Sequence, residues 1–159
     1  MLTIAGTLSA QATFVQAPDS VQPLPFAGAT NEPEAADVNL DGFPDVLVDR
    51  SGHGTVAIGY GDGDGGISSW QLTNHGFGAY DFFFADFDAD GLPDLVGVNH
   101  ITSTVSWSRN TTTVPGVAAT FQFQDSWSSP TAVLSGWGPA NLDDDPGAEF
   151  YVGRQNSNY

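Results

Sequence analysis

The 159-residue sequence contains no cysteine and no lysine, and three arginines are its only permanently basic side chains. Without cysteine, no disulfide can report the redox compartment and no thiol nucleophile is available. Nineteen acidic residues give a formal net charge of −16. Nucleic acid and anionic membrane surfaces are therefore poor partners, because both need a basic patch that this composition cannot supply.

Long apolar runs and a sustained 3.6-residue period are also missing from the sequence. No window is apolar enough for a membrane-spanning helix, and no helix of consequence is predicted. Instead, short segments with alternating apolar residues, such as residues 67–72, are separated by glycine-rich and proline-rich turns. This pattern predicts an all-β fold built from short strands.

Acidic residues concentrate in one informative stretch, residues 86–94, which reads Asp-Phe-Asp-Ala-Asp-Gly-Leu-Pro-Asp. Carboxylates occupy its positions 1, 3, 5 and 9, and a glycine occupies position 6. Carboxylates held this close repel one another unless a cation neutralises them. Calcium prefers several oxygen ligands on a short, sharply turning segment. Together with its apolar flanks, the stretch predicts a strand, a calcium-binding loop and a second strand.

The acidic stretch occurs three times along the chain. Residues 37–45 match residues 86–94 position for position, with Asn39 at position 3, and residues 141–149 are a looser copy. These segments are loops 1, 2 and 3 in chain order, and their starts lie 49 and then 55 residues apart. A period of this length indicates a repeat architecture. The first two units each show four strand-like segments, as in a β-propeller blade.

This loop between two strands resembles the FG-GAP or VCBS repeat, found in integrin α-subunit propellers and in many bacterial secreted proteins. The glycine-rich turn over residues 59–65 resembles a turn common in VCBS repeats. The resemblance covers residues 34–153 and implies four-stranded antiparallel β-propeller blades in an incomplete ring of about three blades. In the family, calcium is held by side chains at positions 1, 3, 5 and 9 and by the carbonyl of position 7. Carried over to this sequence, the ligands are Asp37, Asn39, Asp41, Phe43 and Asp45 in loop 1; Asp86, Asp88, Asp90, Leu92 and Asp94 in loop 2; and Asn141, Asp143, Asp145, Gly147 and Glu149 in loop 3.

Loop 3 departs from the family pattern at position 6, which is Pro146 rather than glycine. Proline cannot adopt the positive φ that glycine usually supplies there. Gly147 could shift the turn by one residue and bring Asp144 among the ligands. Two calcium sites are therefore expected, with a third if loop 3 can still close.

The repeats divide the chain into an N-terminal part and a series of blades. Residues 1–30 are expected to contain a short strand at 12–16 and a proline-rich connection, with either a signal remnant or an ordinary β segment at 1–12. Blades are expected over 31–76 and 77–128, with a partial blade over 129–159. The chain is then either part of a longer propeller or one whose copies complete each other's blades.

The expected function is that of a secreted, extracellular calcium-binding module for cell adhesion or for binding a protein or carbohydrate ligand, without catalytic activity or membrane insertion. One alternative is a structural protein that assembles into a homo-oligomeric ring or filament through open blade edges. A weaker one is a carbohydrate-active enzyme, which would need acids outside the loops, such as Asp81 or Asp125. Among the tryptophans, Trp70 and Trp107 are expected in the core, whereas Trp127 and Trp137 lie in loop-like contexts.

Overall fold

The computed structural model describes residues 23–28, 30–50, 52–74, 78–129, 134–143 and 145–154. The strand predicted at 12–16 and the segment 1–12 lie outside these residues. The described part of the chain contains strands and turns but no helix, which confirms the all-β prediction. None of it forms a helix that is long and apolar enough to cross a bilayer.

The strands form three antiparallel sheets. Blade 1 contains β1 (Glu34–Ala36), β2 (Asp45–Arg50), β3 (Thr55–Gly61) and β4 (Ile67–Asn74), hydrogen-bonded in that order. Blade 2 contains β5 (Asp81–Ala85), β6 (Asp94–Asn99), β7 (Thr104–Asn110) and β8 (Phe121–Ser128), also in order. The third sheet pairs β9 (Leu134–Ala140) with β10 (Glu149–Arg154). Within the described ranges, two four-stranded blades and two strands of a third agree with the predicted incomplete ring.

The two blades repeat the same register through their first three strands. Asp45 pairs with Ala36 in blade 1, and Asp94 pairs with Ala85 in blade 2. The pairing of the third strand with the fourth contains a register shift in both blades, between Tyr60 and Gly61 in blade 1 and between Trp107 and Ser108 in blade 2. A residue of β2 or β3 therefore has its structural equivalent 49 positions later, and this relation allows the two blades to be compared side chain by side chain.

The structure places one predicted strand and the four tryptophans differently from the sequence-based expectations. Over most of their length, residues 118–123 alternate apolar and polar side chains and so predict the fourth strand of blade 2. In the structure β8 starts at Phe121, because residues 111–120 form a loop closed by a hydrogen bond from Thr111 N to Thr120 O (2.7 Å).

The contexts of Trp127 and Trp137 predict loops, but Trp127 lies within β8, where it pairs with Val105, and Trp137 lies within β9, where it pairs with Val152. The core prediction for Trp70 and Trp107 is wrong as well, because both are half-buried strand residues outside the hydrophobic cluster.

The hydrophobic core lies between blades 1 and 2. Blade 1 contributes Tyr60, which is 6% exposed, and apolar side chains that are at most 1% exposed, and blade 2 covers them with its own apolar residues, with Ala119 completing the cluster. The members with hydrocarbon side chains larger than that of alanine are Val38, Leu47, Val56, Ile58, Phe82, Phe84 and Leu95. Because apolar burial is the main favourable term in folding, the contact between the blades is the chief source of stability.

A buried amide links the two blades across this core. Asn110, at the end of β7, is 1% exposed and donates from Nδ2 to the carbonyl of Val38 in loop 1 (2.9 Å) and to that of Pro93 (3.1 Å). Its Oδ1 accepts a hydrogen bond from Thr112 N (3.0 Å). The side chain therefore satisfies three backbone groups from two blades.

We expect Asn110→Ala to lower the free energy of unfolding by about 2–4 kcal/mol, because buried backbone groups lose their partners and a small cavity forms. Thermal unfolding should show a fall in Tm of roughly 5–12 °C. Gln124→Ala removes an exposed amide of blade 2 and should leave Tm within about 2 °C of the wild type. Equal effects of the two substitutions would contradict the bridging role of Asn110.

Candidate metal centre

Loops 1 and 2 connect the first two strands of their blades and share one backbone conformation. Leu40 and Ala89, at position 4, adopt φ values of 62° and 60°, and Gly42 and Gly91, at position 6, adopt 89° and 88°. Non-glycine residues rarely occupy this left-handed region, so the agreement reflects a constraint common to both loops. At position 6 the positive φ has no steric cost, because glycine occupies that position in both loops.

The position-1 carboxylate closes each loop from inside. In loop 2, Asp86 Oδ1 accepts from Asp90 N (3.1 Å) and Oδ2 accepts from Gly91 N (2.9 Å). Asp37 accepts the corresponding hydrogen bonds in loop 1, at 3.2 and 2.9 Å. Aspartate at position 1 therefore holds the turn in place before any cation is considered.

The position-9 carboxylates are fully buried. Asp94 is 0% exposed and accepts from Phe87 N (2.9 Å) and Asn110 N (2.8 Å). Asp45 is likewise 0% exposed and accepts from Val38 N (3.0 Å) and Gly61 N (3.1 Å). Burial raises the pKa of both carboxyls, and neighbouring loop acids raise each pKa further, against the opposing effect of the hydrogen bonds. Buried acids in this situation are suited to a cation.

Three carboxylates converge in loop 2. Oxygen atoms of Asp86, Asp88 and Asp94 all lie within 4.8 Å of one another. Calcium binds oxygen ligands at about 2.3–2.6 Å, so atoms on opposite sides of one ion are separated by about this distance. The residues therefore fit a single divalent ion. Leu92, at position 7, is fixed in the same loop by its N–H, which donates to Asp90 Oδ1 (2.9 Å).

The fourth acid of loop 2, Asp90, is not part of this group. Its Oδ2 accepts from Arg109 Nη2 (2.7 Å), and Arg109 Nε lies 2.7 Å from Asp88 Oδ2. The ligand pattern of the loops does not predict this arginine. The signal that could have found it is the register of β6 and β7: Leu95 pairs with Ser108, so the next residue of β7 lies beside the end of loop 2.

Loop 1 arranges its acids differently. Asn39 is 3% exposed; it donates from Nδ2 to Asp41 Oδ2 (3.0 Å) and accepts from Asp41 N at Oδ1 (3.1 Å). Asp41 Oδ1 in turn accepts from Phe43 N (2.9 Å). The three aspartates of this loop do not form a convergent carboxylate group of the kind found among the described residues of loops 2 and 3. An ion in loop 1 would therefore need the Asn39 and Asp41 side chains to turn.

Loop 3 brings a different trio together: oxygen atoms of Asp143, Asp145 and Glu149 lie within 4.8 Å of one another. Glu149 keeps the position-9 role despite its extra methylene, because its carboxylate accepts from Leu142 N (2.6 Å). Asn141 does not close the loop as Asp86 does, since Pro146 offers no N–H to accept from. Its Nδ2 donates instead to the carbonyls of Asp145 (3.0 Å) and Gly147 (3.4 Å). Asp144 lies outside the described residues.

Comparison with protein families agrees with this geometry. The family model described as "FG-GAP-like repeat" matches residues 37–97. Residues 37–97 are an FG-GAP-like repeat. The predicted resemblance is thereby confirmed for this segment, which contains loop 1, loop 2 and the strands between them, whereas loop 3 lies beyond it. Comparison with curated proteins and with solved structures gives no significant match.

A cavity of about 420 Å³ is lined by residues from the first strand of each sheet, and its β5 residues lie within the FG-GAP-like repeat. Acidic and aromatic side chains line it, including Glu34, Asp81, Phe83 and Trp137. Burial raises the pKa of Glu34 and of Asp81. Trp137 stacks on His100 with ring centroids 5.7 Å apart and an interplanar angle of 6°, so the cavity has a fixed aromatic wall.

Within the FG-GAP-like repeat, the acids at positions 3 and 9 should differ in their effect on stability when no metal is present. Asp94→Ala leaves two backbone N–H groups without acceptors and should cost about 2–4 kcal/mol. Asp88→Ala removes only an exposed contact with Arg109 and should cost less than about 1 kcal/mol. Urea unfolding in excess chelator measures both values, and equal losses would contradict a structural role that position 9 has and position 3 lacks.

Proposed function

We propose that the chain is a calcium-binding propeller module that acts outside the cell in adhesion or in binding a protein or carbohydrate ligand. The FG-GAP-like repeat and the four-stranded blades support a propeller module of the adhesion type. The observation that carries the calcium assignment is the convergence of the Asp86, Asp88 and Asp94 carboxylates within 4.8 Å. The predicted ligands of all three loops stay predictions until metal binding is measured.

Calcium suits loop 2 better than other common metals. All the candidate donors are carboxylate or carbonyl oxygens, which calcium prefers, whereas zinc and copper favour imidazole and thiolate ligands. Magnesium demands a nearly ideal octahedron and keeps several of its waters, so it usually binds only one or two carboxylates. Loop 2 offers more acidic ligands than that. The proposed ion would join Asp86, after β5, to Asp94, at the start of β6, and so tie the two strands together.

Binding rather than catalysis is the proposed activity, because the clustered acids have a sufficient role as metal ligands. The cavity beside Asp81 and Trp137 is the concave surface on which we propose that a ligand binds. Its indole wall suits the flat face of a sugar or a peptide side chain, and its acids can accept hydrogen bonds from hydroxyl or amide groups.

Calcium should raise the thermal stability of the protein, because an ion that binds only the folded state stabilises it by mass action. At calcium concentrations about a hundredfold above Kd, the gain should be about 2.7 kcal/mol for one site. Scanning calorimetry with calcium and with excess EDTA measures the difference in Tm.

Asp88→Asn is the sharpest variant for this experiment, because Asp88 is a predicted ligand that does not support the loop's own hydrogen bonds. We expect this variant to keep its EDTA Tm and to lose part of the calcium-dependent increase. Asp125→Asn removes one negative charge from an exposed position on β8 and should respond to calcium as the wild type does. A Tm that is indifferent to calcium in the wild type would refute the proposal.

A second candidate function is the assembly of chains that complete one another's blades. Exposed apolar side chains on the outer face of blade 2 favour it. Val56 and Ile58 in β3 are 0% exposed because blade 2 covers them. Their equivalents in blade 2, Val105 and Trp107, remain partly exposed, and the adjacent Trp127 is 53% exposed. Among the described residues, the third sheet has only two strands, so β10 has a free edge there.

If chains complete one another's blades at this face, sedimentation should show association that increases with protein concentration. Trp127→Asp should weaken that association by at least about tenfold, because it buries a charge in the contact. Leu72→Asp, at an equally exposed (53%) position on β4, is the matched control and should have little effect. A wild-type chain that stays monomeric at all concentrations excludes this function.

A further inference from the structure

We propose that Arg109 is an internal competitor of the metal at loop 2, so that calcium must displace its guanidinium from Asp90 and Asp88 to bind fully. This inference rests on the proposed calcium function. It assigns to a residue outside the predicted ligand set the role of setting the calcium affinity of one loop.

The guanidinium occupies two ligand positions at the same time. Its Nε lies 2.7 Å from Asp88 Oδ2, and its Nη2 lies 2.7 Å from Asp90 Oδ2. The other oxygen of Asp90 accepts from Leu92 N, so both oxygens of this carboxylate have a partner while Arg109 is in place, and the bound guanidinium repels a cation that approaches them. A planar, permanently charged guanidinium is well suited to such a two-carboxylate contact.

The two blades provide a comparison, because the equivalent of Arg109 in blade 1 is Tyr60. The Tyr60 side chain is 6% exposed and turns into the core, where its hydroxyl accepts from Ala119 N (2.6 Å) and donates to Gln71. Loop 1 therefore has a neutral, buried tyrosine where loop 2 has a cation. The Asp41 carboxylate is held by Asn39, which is itself a predicted ligand and can turn together with it.

Charge explains why a competitor is present at loop 2. Loop 2 carries four acids, whereas loop 1 carries three acids and an amide. Arg109 offsets the additional charge when no metal is bound, and a divalent ion would take over that role. Both contacts are partly exposed, with side-chain exposures of 45% for Arg109, 26% for Asp88 and 23% for Asp90, so an ion can displace the guanidinium without opening the core.

Calcium titration followed by NMR of the ¹⁵N-labelled protein tests this proposal one loop at a time. The amides of Gly42 and Gly91 each donate to the position-1 carboxylate of their own loop, so each resonance reports one site. Arg109→Gln should lower the calcium midpoint of Gly91 by about three- to thirtyfold, the range expected for loss of one or two exposed ion pairs. The midpoint of Gly42 should stay within about twofold of its wild-type value.

Two further variants separate competition from a general effect of charge. Arg50→Gln makes the same charge change at the far end of β2 and should shift the Gly91 midpoint by less than about twofold. Arg109→Lys keeps the charge but loses the two-carboxylate contact, so an intermediate midpoint is expected. In the wild type, the Arg109 Nε–H resonance should move as Gly91 saturates, and that of Arg50 should not.

A Gly91 midpoint that is unchanged or raised in Arg109→Gln overturns the proposal, as does an equal shift in Arg50→Gln. A raised midpoint would mean that the guanidinium orients the ligands instead of competing for them. These outcomes differ from failure of the calcium function itself, in which neither Gly42 nor Gly91 responds to calcium in the wild type.

Discussion

A buried carboxylate at the start of the second strand holds each blade together. Asp45 and Asp94 accept one N–H from the acidic loop and another from the third strand, so one side chain joins three successive segments. The two hydrogen bonds compensate part of the cost of burying an acid. The loop geometry, the β2–β3 and β6–β7 pairings and the packing between the blades all depend on this arrangement.

Local sequence patterns were sufficient to predict most of this arrangement. The acidic loops, their flanking strands and the four-strand units follow from residue spacing within about ten positions, which is the range over which side chains act on their own backbone. The position-9 acids were predicted as ligands, and the structure shows in addition that they are structural hydrogen-bond acceptors. This second role could not be read from the sequence, because the Asn110 and Gly61 amides reach these acids only after β-sheet pairing.

The features that the sequence did not reveal depend on distant residues. Arg109 contacts loop 2 because β7 lies beside β6 in a particular register, and the start of β8 depends on how residues 111–120 close. Trp137 was misplaced because glycine and proline neighbours usually indicate a loop, whereas here pairing with β10 keeps the segment extended. In loop 3, Pro146 removes one closing hydrogen bond, yet the position-9 bond to the loop is retained through Glu149.

Asp86 also takes part in a contact between neighbouring loops. Its backbone carbonyl accepts a hydrogen bond from Ala148 N in loop 3 (2.7 Å), while its side chain closes loop 2. One residue thus belongs to two turns, and a backbone hydrogen bond joins loops 2 and 3 directly. A change that reorients the Asp86 peptide unit would therefore reach loop 3 directly, without passing through the hydrophobic core.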